Sequence, residues 1–159
     1  MHNYLIFGLL SLTFACQSRP SEQSTTETSS TNPSQTDTST APDTLCFRQI
    51  LSRDTTTLQL ITNGNQVSGY LDSNPYEKDR ARGPFQGILN KGQIHADWQR
   101  SGEGTTQPYA LDFTLKGDSG ISWLEGERIE KDGKWILKDP QSGYRYMLPK
   151  VDCSTTPLR

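Results

Sequence analysis

The sequence predicts an all-β fold: a small antiparallel meander of about eight strands, closed as a barrel or stacked as a sandwich. Three observations carry this reading. Between residues 44 and 153 the apolar residues fall in short runs rich in Leu, Ile, Val, Thr and aromatics. Gly and Asn punctuate those runs every eight to twelve residues or so, the spacing of hairpin turns. No stretch shows the long 3.6-residue stripe of a packed helix.

The elements follow in order. Residues 46–51 form a first strand and 55–62 a second, both dense in β-branched and apolar side chains. Asn63-Gly64 then predicts a tight hairpin into 66–71, because Asn and Gly tolerate the positive φ angles such turns require. Residues 72–84 read as a long charged loop. Strands at 85–89 and 93–99 pair across Asn90-Lys91-Gly92. In the second of these, Ile94, Ala96 and Trp98 alternate with His95, Asp97 and Gln99, so one face is core and the other polar. After a second loop at 100–107, residues 108–115 repeat the pattern with Tyr109, Leu111, Phe113 and Leu115 on one side. Strands at 121–129 and 135–138 flank the Lys131-Asp132-Gly133 turn, and 144–148 closes the sheet. An up-and-down, lipocalin-like barrel is the preferred arrangement, since full closure removes exposed edges.

Both ends of the 159-residue chain read differently. Residues 5–14 form an apolar run long enough for a signal peptide and too short to span a bilayer. Residues 17–43 hold 14 Ser and Thr among 27, with Pro20, Pro33 and Pro42. Such a composition buries too little apolar surface to offset ordering entropy, so a disordered tether about 30 Å in reach is expected. Residues 154–159 are expected to be a disordered tail. The folded domain is therefore placed at 44–153.

Within that domain 14 Lys and Arg remain (16 less Arg19 and Arg159) against 14 Asp and Glu (18 less Glu22, Glu27, Asp37 and Asp43). This neutrality, without any basic cluster, argues against a nucleic-acid partner, which needs positive charge to displace counterions. Cys46 and Cys153 bracket the domain, and in an exported protein that spacing predicts a disulfide.

No residue set predicts catalysis. His95 and Asp97 share a strand face, but no nucleophile can be assigned to them and no Gly-x-Ser-x-Gly elbow occurs. Asp72-Ser73-Asn74 with Glu77 and Asp79 offers oxygen ligands without EF-hand spacing, so no metal or cofactor is expected. Carboxylate pairs such as Glu77 with Asp97, or Glu103 with Glu125, define a rival reading as a glycoside hydrolase. Binding is favoured over that rival. Its candidate residues are Tyr76, Glu77, Lys78, Asp79, Arg80 and Arg82 in the first loop and Glu103 in the second. Tyr70, Tyr76, Tyr144 and Tyr146 are further candidates for a ligand mouth or a partner surface.

Ala15-Cys16, preceded by Thr13 and Phe14, resembles a loose lipobox of the Bacteroidetes type, which implies cleavage before Cys16 and lipidation of its thiol. The Glu77-Lys78-Asp79 loop, Gly83-Pro84-Phe85-Gln86-Gly87, Asp97-Trp98, Ser101-Gly102-Glu103-Gly104 and Lys150-Val151-Asp152-Cys153 resemble uncharacterised Bacteroidetes lipoproteins with small β-domains. A looser architectural likeness is to membrane-bound lysozyme inhibitors, which implies a further alternative: inhibition of an envelope-directed hydrolase. The expectation is thus a monomeric, lipid-anchored protein of the cell envelope that binds an envelope protein or small ligand without catalysis. Gln17 after the cysteine leaves inner and outer membrane equally open.

Overall fold

A computed structural model describes residues 42–155. The expected signal segment, Cys16, most of the tether and residues 156–159 lie outside the described residues.

The described chain forms ten strands: β1 (Asp43–Leu51), β2 (Asp54–Asn63), β3 (Gln66–Asn74), β4 (Ala81–Asn90), β5 (Gln93–Gly102), β6 (Thr105–Leu115), β7 (Gly120–Glu125), β8 (Arg128–Lys131), β9 (Lys134–Leu137) and β10 (Tyr144–Val151). Two single turns of 3-10 helix, Gly117–Ser119 and Cys153–Thr155, are the only helical segments among the described residues. Eight strands close a barrel in the order β5-β4-β3-β2-β1-β10-β7-β6, with β6 returning to β5 through ten residue pairs from Gln93↔Thr114 to Gly102↔Thr105. A barrel, and not a sandwich, is the architecture.

Tight turns make the meander possible. Lys91-Gly92, Glu103-Gly104 and Asp132-Gly133 each place both residues at positive φ, the type I′ geometry whose twist matches that of paired strands. The β2–β3 turn is shifted one residue from the expected Asn63-Gly64: Asn63 pairs with Gln66, and Gly64-Asn65 is the loop, with Gly64 at φ 60°. Glycine also matters inside the sheet. A Cβ on Gly69 would collide with the Phe85 ring and the Gln59 carbonyl, so the ring lies over bare backbone where a side chain would otherwise stand.

Three further sequence expectations need correcting. The loop expected at 72–84 is confined to 75–80, because Asp72 and Ser73 continue β3 opposite Arg82 and Ala81. The loop expected at 100–107 shrinks to the Glu103-Gly104 turn, as β5 and β6 pair to their ends. The single strand expected at 121–129 breaks at Gly126-Glu127 into β7 and β8. The eight-strand barrel is the expected antiparallel meander, and the additional β8–β9 hairpin lies outside it, beside β6, through one parallel pair, Tyr109↔Trp135.

That side step has a cause. β7 pairs with β6 only at Thr114↔Ser122 and Leu115↔Ile121, leaving the N-terminal half of β6 with a free edge that β9 covers. The β1–β10 seam is also short, with Cys46↔Val151 and Phe47↔Lys150 its two pairs. The Cys46–Cys153 disulfide crosses at that seam, and Arg48 donates to the Thr155 carbonyl at 2.8 Å, binding the C-terminal 3-10 turn to β1.

The interior follows the strand alternation. Phe47, Leu58, Leu60, Ile94, Phe113, Ile121 and Leu148 are fully buried. They fill the barrel from its middle to the end that holds the β2–β3 and β4–β5 turns. The described chain enters and leaves at this closed end, where β1 starts and β10 stops.

Candidate functional site

The opposite end is built from different residues. Continuing each inward row past the core gives Thr56 on β2, Leu71 and Ser73 on β3, Ala81 on β4, Trp98 and Arg100 on β5, and Tyr109 on β6. β7 adds Trp123 and Glu125, and β10 adds Tyr144 and Tyr146. These side chains surround an open-mouthed cavity of about 360 Å³, with Pro75 and Asp79 on its rim and Arg128 of β8 on its wall. Among the five aromatic rings, Trp98 and Trp123 are nearly buried at 5% and 4% exposure, whereas Tyr144 is 64% exposed at the lip.

Ring contacts connect this mouth to the core. Phe85 and Phe113 lie 5.4 Å apart, Phe113 meets Trp123 edge-on at 5.5 Å, and Trp123 meets Tyr146 at 4.9 Å. On the other wall Trp98 stands edge-on to Tyr109 at 6.0 Å, and Tyr109 stacks on Trp135 at 6.0 Å. Rings held by neighbours on both sides lose little rotamer freedom when a guest arrives, which favours a preformed surface.

Polar groups in the mouth are mostly satisfied. Thr56 Oγ1 and Tyr146 OH share a hydrogen bond of 3.0 Å across the barrel. The indole N–H of Trp98 donates to the Gly83 carbonyl at 3.1 Å. The indole N–H of Trp123 donates to Glu125 Oε1 at 2.7 Å, while Arg128 approaches Glu125 Oε2 at 3.4 Å. Arg128 also donates to the Ala110 carbonyl at 3.0 Å, filling the gap between β6, β7 and the β8–β9 hairpin with a side chain only 10% exposed. Burial, with Glu125 and then Tyr146 adding to it, holds the Tyr144 phenol above its ordinary pKa, so it stays a neutral donor at physiological pH.

Of the residues expected from sequence to bind, those of the β3–β4 loop and Glu103 lie at the mouth end of the barrel, and of these only Asp79 lines the cavity. Tyr76, Glu77, Lys78, Asp79 and Arg80 occupy the β3–β4 loop, which is tied to the β1–β2 turn by two contacts. The Tyr76 amide donates to Asp54 Oδ1 at 2.7 Å, and the Arg53 guanidinium sits 3.4 Å above the Tyr76 ring. Of the loop residues, Asp79 reaches the cavity. Arg80 turns back to Asp72, donating from Nε at 2.8 Å, and the ion pair raises its pKa further above its usual value. Arg82 faces outward from β4, and Glu103 tips the two-residue β5–β6 turn. Tyr144 and Tyr146 do line a mouth as expected, whereas Tyr70 is not among the lining residues.

The acid–base and metal candidates are dispersed. His95 Nδ1 lies 2.6 Å from Asp112 across the outer wall, and Asp97 is taken by Lys134 at 2.5 Å. Glu77 and Glu103 stand on separate turns with exposed side chains. Asp72 is engaged by Arg80, and among the described residues no three His, Cys, Asp or Glu side chains gather as metal ligands would.

A wider depression of about 950 Å³ lies on the outer wall around Ile61, Gln66, Pro84, Ile88 and Asp97. It is lined mostly by outward-facing residues of neighbouring strands, whereas the mouth is ringed by inward-facing side chains of seven barrel strands, with aromatic rings and a few polar groups converging on one space. The mouth is the candidate site. Sequence reasoning missed Arg100 and Arg128 in it. Extending the Ile94-Ala96-Trp98 alternation by one step points Arg100 inward, but nothing local marks Arg128, which is set in place by the parallel β6–β9 contact.

No protein-family model, curated protein or solved structure matches the chain.

Proposed function

We propose that this protein is a lipid-anchored lipoprotein of the cell envelope whose barrel binds a small ligand in its open mouth without catalysis. The observation that carries the binding half is the contrast along the barrel axis. A core filled with Phe, Leu and Ile gives way at one end to a cavity walled by five aromatic rings and held hydrogen bonds. Burial alone accounts for Trp98 and Trp123, but not for a space left open between the rings or for Tyr144 standing 64% exposed at its lip.

The anchoring half rests on the apolar leader, the Ala15-Cys16 pair and the Ser/Thr-rich spacer. It agrees with the topology: the chain joins the barrel at Pro42 and Asp43, at the end opposite the mouth. A tether attached there leaves the mouth free to face away from the membrane.

A thermal-shift screen of small ring-bearing molecules on the purified full chain tests the binding half, with Ala81→Phe as the blocked-mouth control. A ligand at about 100 times its Kd stabilises by about 2.7 kcal/mol, well within detection. Shifts lost in Ala81→Phe support the reading; shifts that persist in it, or a screen without any shift, remove that support. Palmitate labelling tests the anchor. Cys16→Ser is expected to abolish label and release the protein from membranes, and persistent labelling would overturn it.

A further inference from the structure

The charges around the mouth are unequal in what holds them. Glu125 has both oxygens engaged, one by the Trp123 indole and one by Arg128. Arg128 is spent in turn on Glu125 and on the carbonyls of Ala110 and Trp135. Asp79 belongs to the exposed rim loop. That leaves Arg100.

Arg100 follows Trp98 on the inward row of β5 and is half-buried at the cavity edge. Its guanidinium carbon lies 5.3 Å from the centre of the Tyr109 ring, the ring over which Arg128 also sits at 5.2 Å. Among the described residues no carboxylate or carbonyl accepts from it. A half-buried guanidinium thus offers five N–H donors in a fixed planar fork, with a ring beneath it and no acceptor beside it. An anion entering the mouth would give that fork its acceptor in a charge-assisted, bidentate contact beside ring walls that exclude water.

The rest of the cavity sets the shape of the anion. Its walls are ring faces and edges from Trp98, Tyr109, Trp123, Tyr144 and Tyr146, surfaces that favour a flat π-system over a flexible chain. At about 360 Å³ the space holds roughly a dozen waters' volume, at the low end for ligand pockets. One or two fused rings fit there; a lipid tail or a folded peptide does not.

We infer that the mouth takes a small planar aromatic molecule bearing one carboxylate, its ring among the mouth aromatics and its carboxylate on Arg100. This rests on the reading of the mouth as a binding site and adds the ligand's chemical class and the residue that selects its charge.

Calorimetry on the purified full chain with three probes of one ring framework tests it: 2-naphthoate, 2-naphthylmethanol and 2-naphthylmethylammonium. The naphthoate is expected to bind at least about ten-fold more tightly than the neutral alcohol, the size of one charge-assisted hydrogen-bonded contact, and the ammonium most weakly. Arg100→Gln is expected to bring naphthoate down to the affinity of the alcohol. Arg100→Lys, which keeps the charge and loses the fork, is expected to fall between. Equal affinities for naphthoate and alcohol, with Arg100→Gln silent, would overturn the anion inference and leave the mouth reading standing. Tightest binding by the ammonium would overturn it in favour of control by Glu125 and Asp79. If none of the probes binds while the screen gives mouth-dependent shifts, the ligand class is wrong; if the screen is also empty, the mouth reading fails with it.

Discussion

Removing the Cys46–Cys153 bridge probes the weakest closure of the barrel. The bridge spans 107 residues and sits where β1 and β10 share two residue pairs. In the chain-entropy treatment, a cross-link of that span stabilises by about 5 kcal/mol, and measured effects reach down to about 2. For a domain of about 110 residues, unfolding entropy near the melting point is about 0.23 kcal/mol per kelvin, so the melting temperature should fall by about 9 to 22 °C. The variant to compare is Cys46→Ala with Cys153→Ser, which avoids leaving a buried thiol free to mispair; Cys46 is 1% exposed. Calorimetric melts of this variant and the oxidised parent, with thiol titration to establish the bridge in the parent, give the difference. A drop of less than about 2 °C would refute the reasoning, because the β1–β10 seam would then hold without its staple.

Other outcomes follow from the packing and the charges. Phe113→Ala removes a fully buried ring that touches both Phe85 and Trp123, and is expected to cost about 3 to 5 kcal/mol in urea unfolding. Arg128→Met strips the Ala110 and Trp135 carbonyls and Glu125 of a donor. It should destabilise by about 2 kcal/mol or more and speed amide exchange in β8 and β9 first; unaltered exchange there would contradict the role given to this side chain. The Asp152 carboxyl is held below its ordinary 3.8 by the Ser154 backbone N–H and then the Ser154 hydroxyl. A depressed carboxyl stabilises above its unfolded pKa, and that stabilisation is lost as pH falls through the folded value. Protection of the Ser154 and Thr155 amides, relative to their intrinsic exchange rates, should therefore fall below about pH 4, ahead of the barrel strands.

Much of the barrel was legible in the sequence because its signals are local. Alternation at Ile94-Ala96-Trp98 and Tyr109-Leu111-Phe113 marked the inward rows, and X-Gly pairs marked the turns. Strand ends were less legible. Polar residues such as Ser101, Thr105 and Asp72 read as loop, but each is paired across a hairpin, where a neighbour's backbone decides the conformation and not the side chain. The displaced β8–β9 hairpin was not visible at all, since it arises from the early parting of β6 and β7. The site followed the same division. Tyr144 and Tyr146 were legible as aromatics with polar tips, and the rim loop as a charged run. Arg100 was hidden because an arginine on an inward row reads as an exception until closure shows that the row ends in a mouth, and Arg128 because only the β8–β9 hairpin beside β6 brings it there.

All three tryptophans of the chain lie at that mouth: Trp98 and Trp123 line the cavity, and Trp135 stacks on Tyr109. Their indole N–H resonances in a proton–nitrogen correlation spectrum, followed during titration with 2-naphthoate, test the central claim most directly. The expected result is saturable shifts at the Trp98 and Trp123 indoles and at the Arg100 and Tyr146 amides, with Gly64, Gly92 and Gly117 at the closed end unmoved. Shifts confined to the closed end or the outer wall, with the indoles still, would contradict it.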